Sequence, residues 1–430
     1  MKNKVSLVSL GCAKNLVDSE VLMGGLKSEN YEIVSNIEDS DTVIINTCGF
    51  LDVAREESVD TILQCTELKR KGIVEQLIVM GCFSARYGSE LRKEIPEVDQ
   101  FFGTSSHSEI LSFITGKDFK KSDPDYFRSL LTPNHYAYIK IAEGCDNVCS
   151  FCSIPIMRGL QKSNTLEHNL IEAKNLADRG VKELLVISQD TTTYGWDLKP
   201  KSSLHELMRL LDNVDGIEWI RLHYAHPAHL NKKMIENYGS LKKLIPYIDM
   251  PTQHGSDSML KNMKRGLSSA GIKRRIELLR NANNNISLRT SMIVGFPGET
   301  DKDFQKLVDF VQDVKFDRLG VFQYSEEEGT SAAVDYLDDI PKEVKQERYD
   351  TLMMIQQKIN FDKNKKRVGS NERVIVDVVN EEGWSLARSY RDAPEIDNYV
   401  KINEKLKVGE FYDVHISKAF EYDVIGDLIN

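Results

Sequence analysis

The 430-residue sequence predicts an α/β fold in three parts: an N-terminal doubly wound parallel-sheet domain, a central partial TIM-like barrel and a C-terminal small antiparallel β-barrel. Three observations predict it. Short β-branched runs alternate with helical patterns up to about residue 125, and the alternation resumes from residue 131. From Arg367 onward the pattern switches to period two. Strand–loop–helix repeats build parallel sheets covered on both faces, whereas period-two runs separated by turns build antiparallel ones.

In the first part KVSLVSLGC precedes NLVDSEVLMGGLKS, DTVIINTCGF precedes VAREESVDTILQCTELKRK, and EQLIVMGCFS precedes YGSELRKEI. Functional loops of such sheets lie beyond the carboxyl ends of the strands. Cys12, Cys48 and Cys82 each sit just past a predicted strand, so three loops at one sheet edge can converge three thiols. Cys65 falls inside a helical pattern and reads as a small core residue. The polar stretch GKDFKKSDPDYFRSLLTPN reads as a linker.

Six strand candidates follow: HYAYIKIAEG, KELLVISQD, IEWIRLHYAHP, KLIPYIDMPTQHG, ISLRTSMIVGFPGE and RLGVFQYSEEEG. Their ends are polar or rich in Gly and Pro, where barrel active sites are built. The tail, ERVIVDVVNEEGWSLARSYRDAPEIDNYVKI and GEFYDVHISKAFEYDVIGDLI, alternates in period two. The expected domains are therefore 1–125, 131–365 and 367–430.

Composition narrows the function. The chain is 41% hydrophobic and 28% charged, with no apolar run near the ~18 residues of a membrane span. Its net charge of −10 argues against a surface that coats nucleic acid. The apolar stretch Val5 to Leu10 is shorter than the ~7–15 residues of a secretion signal's core and contains two serines, so it reads as a buried first strand. A cytoplasmic chain keeps its thiols reduced, and clustered cysteines there point to metal rather than disulfides.

GCDNVCSFCSIP packs Cys145, Cys149 and Cys152 into eight positions with no fourth cysteine following. Zinc sites usually show paired knuckles with four ligands, and a zinc site lacking one ligand is the competing reading. Iron–sulfur clusters are held by cysteine thiolates, normally four for a 4Fe–4S cluster. Three thiolates leave one iron open for a small molecule.

C-x3-C-x2-C, with Phe151 before the last cysteine and directly after the first barrel strand, resembles the radical S-adenosylmethionine (SAM) superfamily. The resemblance implies that SAM binds the open iron and yields a 5′-deoxyadenosyl radical. LGCAKNLVDSE, NTCGF, the CxxxCxxC trio and the C-terminal β domain together resemble the methylthiotransferase family, over essentially the whole chain. By that resemblance the last domain is a TRAM domain. Cys12, Cys48 and Cys82 would hold a second 4Fe–4S cluster whose open iron carries the sulfur to be transferred.

Two branches compete, one modifying an adenosine in tRNA (MiaB type) and one an aspartate of ribosomal protein S12 (RimO type). YIKIAEGCDNVCSFCSIP, RLHYAHPAHL, YIDMPTQH, MIVGFPGET and VFQYSEEEGT resemble the RimO pattern. QKSN after IMRG departs from the family's arginine-rich segment, which puts any contact of those arginines in doubt. Residues 367–430 hold 8 basic against 13 acidic residues, net −5, which favours a basic protein partner over RNA phosphates. The implied partners are ribosomal protein S12, free or in the small subunit, an electron-donor protein and an external sulfur source, with neither membrane nor tRNA.

VGFPGE, with Gly295, Pro297 and Gly298, resembles the family's SAM-contacting loop. A Gly/Pro turn is the plain alternative. Gln189 and Asp190 end the second barrel strand and are candidate contacts to SAM. Gln253 and His254 end the fourth. A different class of function, a non-catalytic iron–sulfur carrier, conflicts with the open-site trio, since carriers close every iron with protein ligands.

Overall fold

The structure is a computed structural model that describes residues 3–50, 52–119 and 127–429. The chain divides into two units: residues 1–132, 143–146 and 153–162, and residues 133–142, 147–152 and 163–430.

The first unit is built on five parallel strands: β1 (Lys4–Ser9), β2 (Glu32–Ile33), β3 (Thr42–Thr47), β4 (Gln76–Gly81) and β5 (Gln100–Phe101), in the order β2-β1-β3-β4-β5. The central strand β3 is buried along its whole length, as TVIINT requires. Val43 and Ile45 pack to one side with Ile62, Cys65 and Val79, while Ile44 packs to the other with Leu22, Leu26 and Ile110. The sheet is thus doubly wound, and Cys65 is the core residue its helical context predicts. Of the expected linker, residues 120–126 lie outside the described residues. Its later part is anchored, with the Leu131 amide donating to Glu20 Oε1 at 2.8 Å.

In the second unit, β6 (Tyr136–Lys140), β9 (Glu183–Ile187), β10 (Trp219–Leu222), β11 (Leu244–Asp249), β12 (Ser287–Val294) and β13 (Arg318–Gln323) form a six-stranded parallel sheet. This is the partial barrel, and all six expected strands are in it. The two-residue strands β7 (Ala142–Glu143) and β8 (Lys162–Ser163) flank the cysteine loop. The helix Lys342–Arg367 then leads to a closed barrel of β14 (Asn371–Val379), β15 (Ser385–Ser389), β16 (Val400–Ile402), β17 (Phe411–Ala419) and β18 (Val424–Leu428). One pair departs from the antiparallel expectation: β16 runs parallel to β18, Val400 facing Val424. Alternation encodes which face a residue takes but not the direction of the neighbouring strand.

The loop after β15 stoppers the amino-terminal end of the large barrel. Tyr136 donates to Glu395 at 2.9 Å, Arg221 to the Tyr390 carbonyl at 2.8 Å, Tyr247 to Asp397 at 2.8 Å and Arg318 Nε to Asp392 at 2.9 Å. Asp392 and Arg318 are buried, and Arg318 holds the Asp392 carboxyl below the usual carboxylate range against the opposing effect of burial. Asp392→Ala would strand a buried guanidinium, and a loss of about 3–5 kcal/mol is expected. A fall in the unfolding midpoint checks this, with Asp392→Asn falling less.

Asp392 and Asp397 face barrel arginines rather than solvent, while Asp377 pairs with Arg388 within the tail itself.

Candidate functional site: two cysteine trios

Cys12, Cys48 and Cys82 follow β1, β3 and β4 at one edge of the first sheet. Glycines let their loops close on one another. Gly11 has φ +90°, and a Cβ there would lie 2.7 Å from Cys48 Cβ and 3.0 Å from its Sγ. At Gly49 a Cβ would lie 2.8 Å from the Phe83 nitrogen, and Gly81 (φ +102°) has no room beside Thr47. The GC and TCG contexts thus reflect close approach of backbone.

Asn15 fastens this edge. It donates to the Leu10 carbonyl at 2.9 Å and the Thr47 carbonyl at 3.0 Å, joining the loops that carry Cys12 and Cys48. Ser58 holds the Cys48 backbone from both sides. Cys12 caps the helix Ala13–Ser28 and Cys82 opens the helix Cys82–Glu94, positions where the helix dipole favours a thiolate. Burial nonetheless pushes the Cys82 thiol up to about 11, with Arg158 opposing, and raises that of Cys48. Burial thus favours the protonated Cys48 and Cys82 thiols, and iron would replace those protons on binding. The donor set fits a cluster held by three cysteines.

Of the other trio, Cys145 lies in the first unit, its amide donating to the Gly159 carbonyl at 3.1 Å. Gly144, at φ +77°, is required because a Cβ would meet the Leu160 carbonyl at 2.2 Å. Cys149 and Cys152 lie in the second unit, in a turn closed by a 3.1 Å bond from the Cys152 amide to the Cys149 carbonyl. Arg265 Nη1 donates to Cys149 Sγ at 3.0 Å, and its Nη2 to the Pro251 carbonyl at 2.7 Å. Arg265 Nε is buried without a partner. A guanidinium donating to a cysteine sulfur, with a donor to spare, fits a loop built to hold an anionic cluster.

Asn147, inside the cysteine loop, donates to Asp190 Oδ2 at 2.7 Å and accepts from His229 Nε2 at 2.8 Å. The other Asp190 oxygen accepts from the Thr192 amide at 2.9 Å. Asp190 therefore holds the cysteine loop. Asp190, His226 and His229 bring ligand atoms within 4.8 Å of one another. The Ala228 amide donates to His226 Nδ1 at 3.2 Å, which puts the ring proton on Nε2. Burial, with Arg265 and His229 nearby, pushes the His226 pKa down to about 2. His226 is thus neutral, with a donor at Nε2.

Phe151 packs with Met259, Met263, Phe296 and Tyr324, so the cysteine loop and the GFPGE loop share a core. Gly295, at φ +71°, is explained by packing, because a Cβ would lie 2.3 Å from Lys345 Cγ. Pro297 is buried, Gly298 exposed and Gln189 half-buried. Glu299 closes the loop: it accepts from the Gly295 amide and Arg348 Nη1 (3.1 Å) and pairs with His254 Nε2 at 3.1 Å. His254 is thus a structural hydrogen bonder. In the QKSN segment Lys162 is exposed, while Ser163 accepts from the Gly195 amide at 3.0 Å.

Arg158, Asn15, Arg265, Asn147 and Glu299 are the residues sequence reasoning missed. The one signal for Arg158 was a lone charge in the apolar stretch SIPIMRG.

Residues 4–103 match the uncharacterized protein family UPF0004, residues 139–311 the radical SAM superfamily and residues 368–429 the TRAM domain. The ribosomal protein uS12 methylthiotransferase RimO of Clostridioides difficile is 45% identical over 440 residues, covering 99% of each chain. That of Aquifex aeolicus is 45% identical over 98% of this chain and 96% of its own. Among solved structures, the radical SAM methyltransferase TsrM from Kitasatospora setae, with cobalamin and a [4Fe-4S] cluster bound, is similar in fold alone. Its TM-score is 0.57 at 13% identity, over 78% of each chain.

Proposed function

The chain belongs to the family of ribosomal protein uS12 methylthiotransferases within the radical SAM superfamily, and on that premise we propose that it adds a methylthio group to the β-carbon of an aspartate in ribosomal protein S12. The observation that carries this reading is identity of 43–45% to relatives of that name across essentially the whole chain.

In this reading Cys145, Cys149 and Cys152 hold a 4Fe–4S cluster that binds SAM at its open iron. Cys12, Cys48 and Cys82 hold a second one. Phe151, Gln189, Asp190, Gly295, Pro297 and Gly298 form the SAM seat, Asp190 by fixing the cysteine loop through Asn147. Residues 1–125, 131–365 and 367–430 are the three functional domains. When bound, these groups supply a hydrogen-abstracting radical, a sulfur atom and, from a second SAM, a methyl group.

The protein's own residues do the rest. Arg265 gives Cys149 a charge-assisted hydrogen bond. The TRAM loop seals the amino-terminal end of the barrel, which would exclude water from that side. His226 offers its Nε2 proton to an acceptor there. The partners are ribosomal protein S12, free or in the small subunit, an electron-donor protein and a sulfur source, all in the cytoplasm.

Anaerobic reconstitution with iron and sulfide, followed by reductant and SAM, tests the chemistry. A brown chromophore and 5′-deoxyadenosine are expected. Bound zinc with neither product would overturn the reading, and a cluster that cycles electrons without cleaving SAM would make the protein a carrier.

A further inference from the structure

Arg158 lies six residues beyond Cys152, yet its guanidinium is committed to the other trio. Its Nε donates to Cys82 Sγ at 3.2 Å. Nη2 donates to Asn15 Oδ1 and to Asp18 Oδ2 at 3.2 Å, and Nη1 to Glu143 Oε1 at 2.8 Å. All these residues belong to the first unit. Arg158 is 8% exposed and Asp18 1%.

The direction of each bond matters. Asn15 uses its amide protons on the loops of Cys12 and Cys48, so its oxygen is what faces Arg158. The two carboxylates take the Nη hydrogens, which fixes the plane of the fork and aims the remaining Nε–H at sulfur. A planar guanidinium can do this and an ammonium cannot. Burial works against the Arg158 charge, but Asp18, Cys82 and Glu143 hold it firmly protonated.

We propose that Arg158 sets the reduction potential of the cluster held by Cys12, Cys48 and Cys82, by donating a hydrogen bond to the Cys82 sulfur. The inference rests on those cysteines being ligands. Hydrogen bonds to cluster sulfurs and nearby charge are among the levers that tune such potentials. One-electron reduction by the external donor adds negative charge to the cluster, and a buried N–H aimed at a ligand sulfur stabilises that form more than the oxidised one. Arg158 is a positioning residue in this sense, since it touches a ligand rather than the reacting atoms.

The test uses the full chain with Cys145, Cys149 and Cys152 replaced by alanine, so that only this cluster is present. Redox titration followed by electron paramagnetic resonance reads the midpoint. With Arg158→Gln the reduced-to-oxidised ratio at a fixed potential is expected to fall about tenfold, about 59 mV for one electron. Arg158→Lys should fall by less. Asp18→Asn, which removes an opposing charge, should move the midpoint upward, and a merely structural role would not give opposite signs.

Removing Arg158 takes a guanidinium partner from the buried Asp18 carboxylate, so a readout without mutation is included. In protein labelled with [15N]arginine, pulsed resonance on the reduced cluster should show a coupling from guanidinium nitrogen. A normally assembled cluster whose midpoint ignores all three substitutions, or the absence of that coupling, would overturn the inference. Failure of the parent chain to assemble any cluster would instead overturn the assignment of Cys12, Cys48 and Cys82.

Discussion

Replacing Cys149 by alanine is expected to abolish 5′-deoxyadenosine formation and methylthio transfer together. Cys149 receives a guanidinium hydrogen bond from Arg265. Without its thiolate two ligands remain, and the open-site cluster that anchors SAM is lost. Enzymes lower such barriers by at least about 8 kcal/mol, so a loss of the route should cost more than about 10³-fold in rate. Iron should drop to the content of one cluster while the fold persists, because Cys149 is only half-buried. Product analysis together with iron determination checks this. Retained deoxyadenosine formation would mean that the trio is not the SAM anchor.

Cys82→Ala is expected to separate the two halves of the reaction. Cys82 lies in the first unit with Asn15 and Arg158, whereas Cys149 and Cys152 belong to the second. Its loss should leave SAM cleavage detectable but reduce methylthio product by about 10³-fold or more, since on the proposed assignment the sulfur donor is removed rather than slowed. Mass spectrometry of the substrate beside deoxyadenosine quantification reads both. Methylthio product at the parent level would show that sulfur does not pass through this trio.

What the sequence makes legible follows from physics that is local. TVIINT is apolar on both faces and can only be a central strand, and GCDNVCSFC carries its ligand spacing within eight residues. The strand-end cysteines were legible because parallel sheets place their loops at one edge. What stayed hidden depends on partners distant in sequence. Arg158 and Asn15 are 143 positions apart, and Arg265 and Cys149 are 116 apart. Gly295 carries a constraint of the same hidden kind: Lys345, 50 positions away, occupies the space a side chain there would need. Charge counted along a chain likewise does not say which carboxylates face buried arginines, as Asp392 and Asp397 do.

The central claim is that the radical chemistry modifies a ribosomal aspartate rather than an RNA base. Its most direct test is anaerobic incubation of the reconstituted protein with SAM, reductant and sulfide. Ribosomal protein S12 and tRNA anticodon stem-loops would be supplied side by side, and each analysed by mass spectrometry. A methylthio gain on one aspartate of the protein, with none on the RNA, is the predicted result. A gain on the RNA alone would contradict the account.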